Sequence, residues 1–160
     1  MSQSAQAAAL RFLKIRPRSI VELKEKLQIK GFSSTDIETT VVDLLASGLL
    51  DDRAFTKSWI NYRLARPFGF RRIILELKAK CIDPEIIDQA VAEIRSGDGF
   101  EIRPYNPEQV ALDLAQRRWQ RLPALDPVKK KKRVLDFLLR RGFDVDVALK
   151  VIKLIPGHST

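Results

Sequence analysis

One arrangement of apolar and turn residues occurs three times in this chain. "KLQIKGFSSTDIETTVVDLL" (Lys26–Leu45), "LKAKCIDPEIIDQAVAEI" (Leu77–Ile94) and "LLRRGFDVDVALKVIKLI" (Leu138–Ile155) each read as a helix end, a tight turn and a new helix. The apolar set Leu23, Leu27, Phe32, Ile37, Val41 and Leu44 returns 50 residues later as Ile73, Leu77, Ile82, Ile87, Val91 and Ile94. It returns 111 residues after the first as Val134, Leu138, Phe143, Ala148, Ile152 and Ile155. The helix-like spacings within each set put its members on the inner face of a helix pair. The chain must therefore bury the same stripe three times.

The punctuation repeats as well. Gly31 and Gly142 stand where a helix stops, at a position that favours a left-handed residue without a Cβ. Cys81 takes that place in the middle copy, which implies either a strained cap or a different turn. Its side chain is expected to be small and buried. Next come Ser33 or Ser34, Asp83 and Asp144, each able to accept from the free N–H groups of a new helix. Pro84 follows Asp83 at the first helical position, where a missing donor costs nothing.

Each copy is preceded by a further helix: "AQAAALRFLKI", "DDRAFTKSWINYRLA" and "NPEQVALDLAQRRWQRL". Arg16-Pro17, Arg66-Pro67 and Pro123 end them, Ser19 and Asp126-Pro127 restart the chain, and Asp51 or Asp52 and Asn106 are capping candidates. The expected fold is all-α: three tandem three-helix, helix-turn-helix-like repeats in an elongated, curved arrangement. The expected divisions are repeat 1 at 1–48, repeat 2 at 49–97, a linker at 98–106 and repeat 3 at 107–160. "RSGDGFEIRPYNP", with two glycines and two prolines, is the expected hinge.

The charge is uneven. Residues 1–50 hold 7 basic and 5 acidic side chains, residues 51–100 hold 9 and 8, and residues 101–160 hold 13 and 7. The last part thus carries +6 of a net +9, which favours polyanions or acidic protein surfaces as partners. One cysteine and one histidine, Cys81 and His158, exclude an internal disulfide and the usual Cys/His zinc arrangements. His158 is expected in a disordered tail. No phosphate loop or nucleophile–base set is present, so neither an enzyme nor a cofactor is expected. No apolar run nears the ~18 residues of a membrane span, and the N-terminus does not read as a secretory signal. The expected location is cytoplasmic.

Two segments concentrate cations. In "KKKKR" (Lys129–Arg133), Lys129, Lys132 and Arg133 share a side by helical spacing. Cations at a helix N-terminus oppose the macrodipole, which points to binding rather than to structure. "RPFGFRR" sets Arg66, Arg71 and Arg72 beside Phe68 and Phe70. Arginine forks suit phosphate or carboxylate, while the two phenylalanines are expected to plug the core. Arg117, Arg118 and Arg121 add charge to the third repeat's first helix. Trp59, Tyr62 and Trp119 are expected in cores, and the Asp51–Asp52 pair is expected to cap rather than to catalyse.

"RPRSIVELKEKLQIKGF", "LLASGLLDDRAFTKSWINYRL" and "GFRRIILELKAKCID" resemble the bacterial RecX regulatory proteins. The resemblance lies in a Gly-Leu-Leu-Asp-Asp-x-x-Phe linker, here Gly48, Leu49, Leu50, Asp51, Asp52 and Phe55. It extends to a Gly-x-x-Arg-Ile-x-x-Glu-Leu segment, here Gly69, Arg72, Ile73, Glu76 and Leu77. It spans roughly residues 8–95, with the third repeat matching by pattern. It implies a non-enzymatic protein, built from tandem three-helix repeats, that binds the RecA–single-stranded DNA filament. Inhibition of filament growth, ATP hydrolysis and strand exchange would modulate recombination and the SOS response. The expected contacts to RecA or DNA phosphate are Arg66, Arg71, Arg72, Arg117, Arg118, Arg121, Lys129, Lys132 and Arg133. The alternative is a direct, non-sequence-specific module for single- or double-stranded DNA. A monomer is expected.

Overall fold

The computed structural model describes residues 4–96, 105–124 and 126–155; the 98–106 linker, apart from Tyr105 and Asn106, and His158 lie outside them. Nine helices and no strand occur among the described residues. They are α1 (Ala5–Ile15), α2 (Ile20–Ile29), α3 (Ser34–Ala46), α4 (Asp52–Leu64), α5 (Phe70–Ala79), α6 (Pro84–Ser96), α7 (Pro107–Arg121), α8 (Pro127–Arg140) and α9 (Val145–Leu154).

Local chemistry sets most of the boundaries. Ser19 and Ser33 cap α2 and α3 by accepting from Glu22 and Asp36 N–H at 3.2 and 3.1 Å. Asp51, not Asp52, caps α4, accepting from Arg53 and Ala54 N–H. Asp83 accepts from Glu85 N–H at 2.8 Å, Asn106 from Glu108 and Gln109 N–H, and Asp126 from Lys129 N–H. Asp144 departs from the expected pattern: it precedes α9 but its side chain caps nothing, and instead lies 3.7 Å from the Arg95 guanidinium.

The three middle helices α2, α5 and α8 end alike. Gly31, Cys81 and Gly142 have φ of 85°, 55° and 84°. Their N–H groups donate three residues back, to Gln28, Lys78 and Leu139 C=O. The next residues, Phe32, Ile82 and Phe143, donate to Leu27, Leu77 and Leu138 C=O at 3.3, 3.2 and 3.2 Å. This is the Schellman arrangement, whose apolar contact joins the residue after the cap to the last helical turn. The middle turn therefore has the same shape as the others, with Cys81 strained. Its side chain is exposed rather than buried.

Of the repeated apolar residues, Phe32, Ile94 and Ile152 are half-buried and the rest are buried. On α9, Val151 rather than Ile152 is fully buried, so the inward face there runs Ala148, Val151, Ile155.

The chain divides into two compact units, one of residues 1–59 and 77–92, the other of residues 60–76 and 93–160. In the first unit, α1, α2 and α3 pack around Ala8, Ala9, Leu23, Leu27, Ile37, Val41, Leu44 and Leu50. In the second, α7, α8 and α9 pack around Ala111, Ala115, Val134, Leu138, Phe143, Ala148 and Val151. Each unit contains the same junction. In the first, the Ser19 hydroxyl ahead of α2 donates to Lys80 C=O at the end of α5, at 3.1 Å. In the second, Gly69 N–H ahead of α5 donates to Arg141 C=O at the end of α8, at 3.0 Å. These positions correspond under the repeat offsets, and each bond satisfies a carbonyl that a helix end leaves without a partner.

Candidate partner interface

The second unit gathers arginines around two aromatic rings. Phe68, half-buried in the turn before α5, has the guanidinium carbons of Arg63, Arg141 and Arg72 at 4.2, 5.1 and 5.9 Å from its ring centroid. Arg141 also lies 5.2 Å from the Phe137 ring, and Arg118 lies 5.5 Å from the same ring. Glu76 Oε1 accepts from both Arg63 and Arg72. One carboxylate thus holds two guanidinium groups, while Arg141 and Arg118 lie against the Phe68 and Phe137 rings. Such contacts hold the cations in place while leaving donors of the exposed arginines free for an anion.

The nine sequence-derived positions fall into two groups. Arg66, Arg71, Arg72, Arg117, Arg121, Lys129, Lys132 and Arg133 are exposed, and Arg118 is half-buried. Arg66 lies 4.7 Å above the Tyr62 ring and lines, with Arg117, a recess of about 250 Å³ bordered by Leu64, Val110 and Leu114. Lys129, Lys132 and Arg133 all face solvent, whereas Lys130 turns onto the Trp119 ring at 4.6 Å and Lys131 is half-buried. Arg72 is exposed while its Nε donates to Glu76, whereas Arg118 lies against Phe137 with its Nε buried and without a hydrogen-bond partner among the described residues.

Sequence reasoning missed Arg63 and Arg141. Arg141 was accessible, since it occupies the repeat position of Lys30 and Lys80, the other C-cap residues. All three lie on aromatic rings: Lys30 over Phe12 at 5.6 Å and Lys80 over Trp59 at 4.4 Å. Arg63 gave no local signal; its partners Phe68 and Glu76 become apparent only in the fold.

The aromatic expectations divide similarly. Phe70 is buried, edge-on to Tyr105 at 5.2 Å, whereas Phe68 is only half-buried among arginines. Trp59 and Trp119 are half-buried. Tyr62 is 51 % exposed, because its ring serves as a platform for Arg66 rather than as core.

In the first unit the Glu22 carboxylate joins Arg16 at 3.1 Å and Lys80 at 2.6 Å. Burial opposes its ionisation, but hydrogen bonds and charge from Arg16 and Lys80 outweigh burial and bring its pKa down to about 2. Burial also raises the Asp52 carboxyl, although Asp52 accepts from Ile20 N–H at 2.9 Å. In the second unit, burial and the nearby Asp144 push the Tyr105 phenol up to about 12, so its hydroxyl stays a donor to Phe68 C=O. Among the described residues no group of three His, Cys, Asp or Glu is placed to hold a metal. No described helix is long and apolar enough to cross a membrane.

Known proteins place this arrangement. Residues 5–44, 51–91 and 107–152 match the first, second and third three-helix domains of RecX. The chain is 32 % identical over 148 residues to Regulatory protein RecX of Legionella pneumophila (strain Corby), covering 91 % of each chain. The chain belongs to the RecX family. Regulatory protein RecX of Chlorobaculum tepidum is 32 % identical over 98 % of this chain and 91 % of its own. That of Mycolicibacterium smegmatis is 31 % identical over 95 % of this chain and 79 % of its own. The fold matches the crystal structure of RecX from Lactobacillus salivarius with a TM-score of 0.78 at 21 % identity, covering 94 % of this chain and 93 % of that one. These relatives are named as regulatory proteins rather than enzymes.

Proposed function

We propose that the chain regulates the recombinase RecA. It binds the RecA–single-stranded DNA filament, inhibits its growth, ATP hydrolysis and strand exchange, and so modulates recombination and the SOS response. The observation that carries this reading is the match to all three RecX domains in order along the chain. The net charge of +9 and the arginine–aromatic cluster support it, since the filament presents DNA phosphate and protein carboxylates. The exposed cations Arg66, Arg71, Arg72, Arg117, Arg121, Lys129, Lys132 and Arg133 make the contacts in this proposal, with Arg118 beside them. Arg72 and Arg118 also lie against the Phe68 and Phe137 rings. Repeats 1–48, 49–97 and 107–160 are the proposed working modules, with 98–106 linking the last two.

A direct DNA-coating module is the competing reading, and the charge alone would serve it. The two separate in a binding experiment. Bare single-stranded DNA is titrated at two salt concentrations beside RecA filaments on the same DNA. A filament regulator acts on RecA at concentrations far below those that occupy bare DNA. A coating module occupies bare DNA first, with a steep salt dependence.

A further inference from the structure

Arg18 is a buried cation without a carboxylate. Only 9 % of it is exposed, and its Nε donates to Phe12 C=O at 3.5 Å while the guanidinium carbon lies 5.3 Å from the Phe12 ring centroid. Among the described residues no acidic group lies within ion-pair distance of it. Glu22 is taken by Arg16 and Lys80, Asp51 by the N–H groups that begin α4, and Asp52 by Ile20 N–H. Burial and the neighbouring Arg16 lower the Arg18 pKa, with Glu22 opposing them only partly. A desolvated charge left unpaired is costly.

Arg18 lines a recess of about 170 Å³ in the first unit, walled by Leu13, Pro17, Leu49, Leu50 and Phe55, with Asp51 and Ser58 as the other polar lining groups. Leu49 is 58 % exposed, and Val42 and Leu45 are exposed on the adjoining end of α3. The wall is apolar, the volume suits a side chain rather than a strand, and the Asp51 carboxylate is occupied by the Arg53 and Ala54 N–H groups. These features favour a protein segment over nucleic acid.

We propose that this recess receives an acidic–apolar segment of the partner protein, one carboxylate pairing with Arg18 while an apolar neighbour packs against Leu13, Leu49 and Phe55. It rests on the reading that the partner is the RecA filament, and places one contact on the protein component of that filament.

Arg18→Met in the full chain tests the proposal, since methionine keeps the length and removes the charge. The melting temperature should be unchanged or higher, because an unpaired buried charge has been removed. Half-inhibition of RecA ATP hydrolysis should need about tenfold more protein, a loss of ~1.4 kcal/mol. Binding to bare single-stranded DNA, read by fluorescence anisotropy, should not change. A lower melting temperature with unchanged inhibition per folded molecule would make Arg18 a structural tie to Phe12 and overturn the proposal. An equal loss on bare DNA would assign the recess to phosphate. If the wild type itself leaves RecA unaffected, the functional reading fails, and a second probe decides the recess. A short synthetic peptide alternating leucine and glutamate should bind wild type and not Arg18→Met by calorimetry, while a leucine–lysine peptide binds neither. Failure of the acidic peptide to distinguish the two proteins overturns the site.

Discussion

Cys81 holds a left-handed conformation, φ 55°, that costs an L-residue roughly 1–2 kcal/mol. Glycine removes that cost but adds flexibility to the unfolded chain. Cys81→Gly should therefore stabilise the protein by about 0.5–1 kcal/mol in urea denaturation; a less stable variant would show that the cysteine makes a contact worth more than the strain. At this position the repeat was a better guide than residue type. The identity of Cys81 left two turn shapes open, while its register with Gly31 and Gly142 favoured one. Glu22 shows the reverse. Arg16, six residues away, is visible from the sequence, but Lys80 arrives from 58 residues away. The pH dependence follows from the depressed pKa. An unfolded glutamate titrates near about 4.3 and the folded Glu22 near about 2. The folded state gains from the ionised pair above the unfolded pKa and loses that gain as pH falls towards about 2. Wild type should melt above Glu22→Gln at pH 6, and the two melting temperatures should converge as pH approaches 2. A constant gap would remove Glu22 from the account.

The helix-ending turns share a backbone but not an environment. A Cβ on Gly31 would meet nothing within 4 Å, whereas one on Gly142 would stand 2.4 Å from Arg72 Cβ and from Arg72 N. Across the same junction a Cβ on Gly69 would come within 2.1 Å of Gly142 O. Gly31→Ala should then cost about 1 kcal/mol for conformation alone. Gly142→Ala should cost about 2–4 kcal/mol, because overpacking adds to the same strain. Gly69→Ala should also destabilise despite its unrestricted backbone angle. Urea midpoints compare the three, and equal losses at Gly31 and Gly142 would contradict the close junction. Most helix starts were legible because caps act over three residues, as Asn106 and Asp126 do. Asp144 was not: its carboxylate faces Arg95, a tertiary choice. Nor was the inward choice of Val151 over Ile152, since packing of α9 on α7 and α8 sets that helix's rotation.

The surface charge belongs to the molecule as a whole. Charge density identified Lys129, Lys132 and Arg133, and the fold leaves all three in solvent. It could not identify the Arg63 and Arg141 contacts to Phe68, which require the fold to bring together distant parts of the second unit. Reversing Lys129, Lys132 and Arg133 to glutamate should raise the concentration for half-inhibition of RecA by about tenfold at low salt, ~1.4 kcal/mol, with helicity retained. Reversing Lys24, Lys26 and Lys30 should matter less per folded molecule, because Lys24 is already paired with Glu38 and Lys30 rests on Phe12. The gap between the two triple variants should narrow as salt screens the attraction. The most direct measurement is a titration of this protein into RecA hydrolysing ATP on single-stranded DNA, at levels well below RecA. The account predicts that hydrolysis slows progressively at substoichiometric protein, while the same concentrations leave bare DNA largely unoccupied. Unchanged hydrolysis at those levels, or slowing only once the DNA itself is coated, would contradict it.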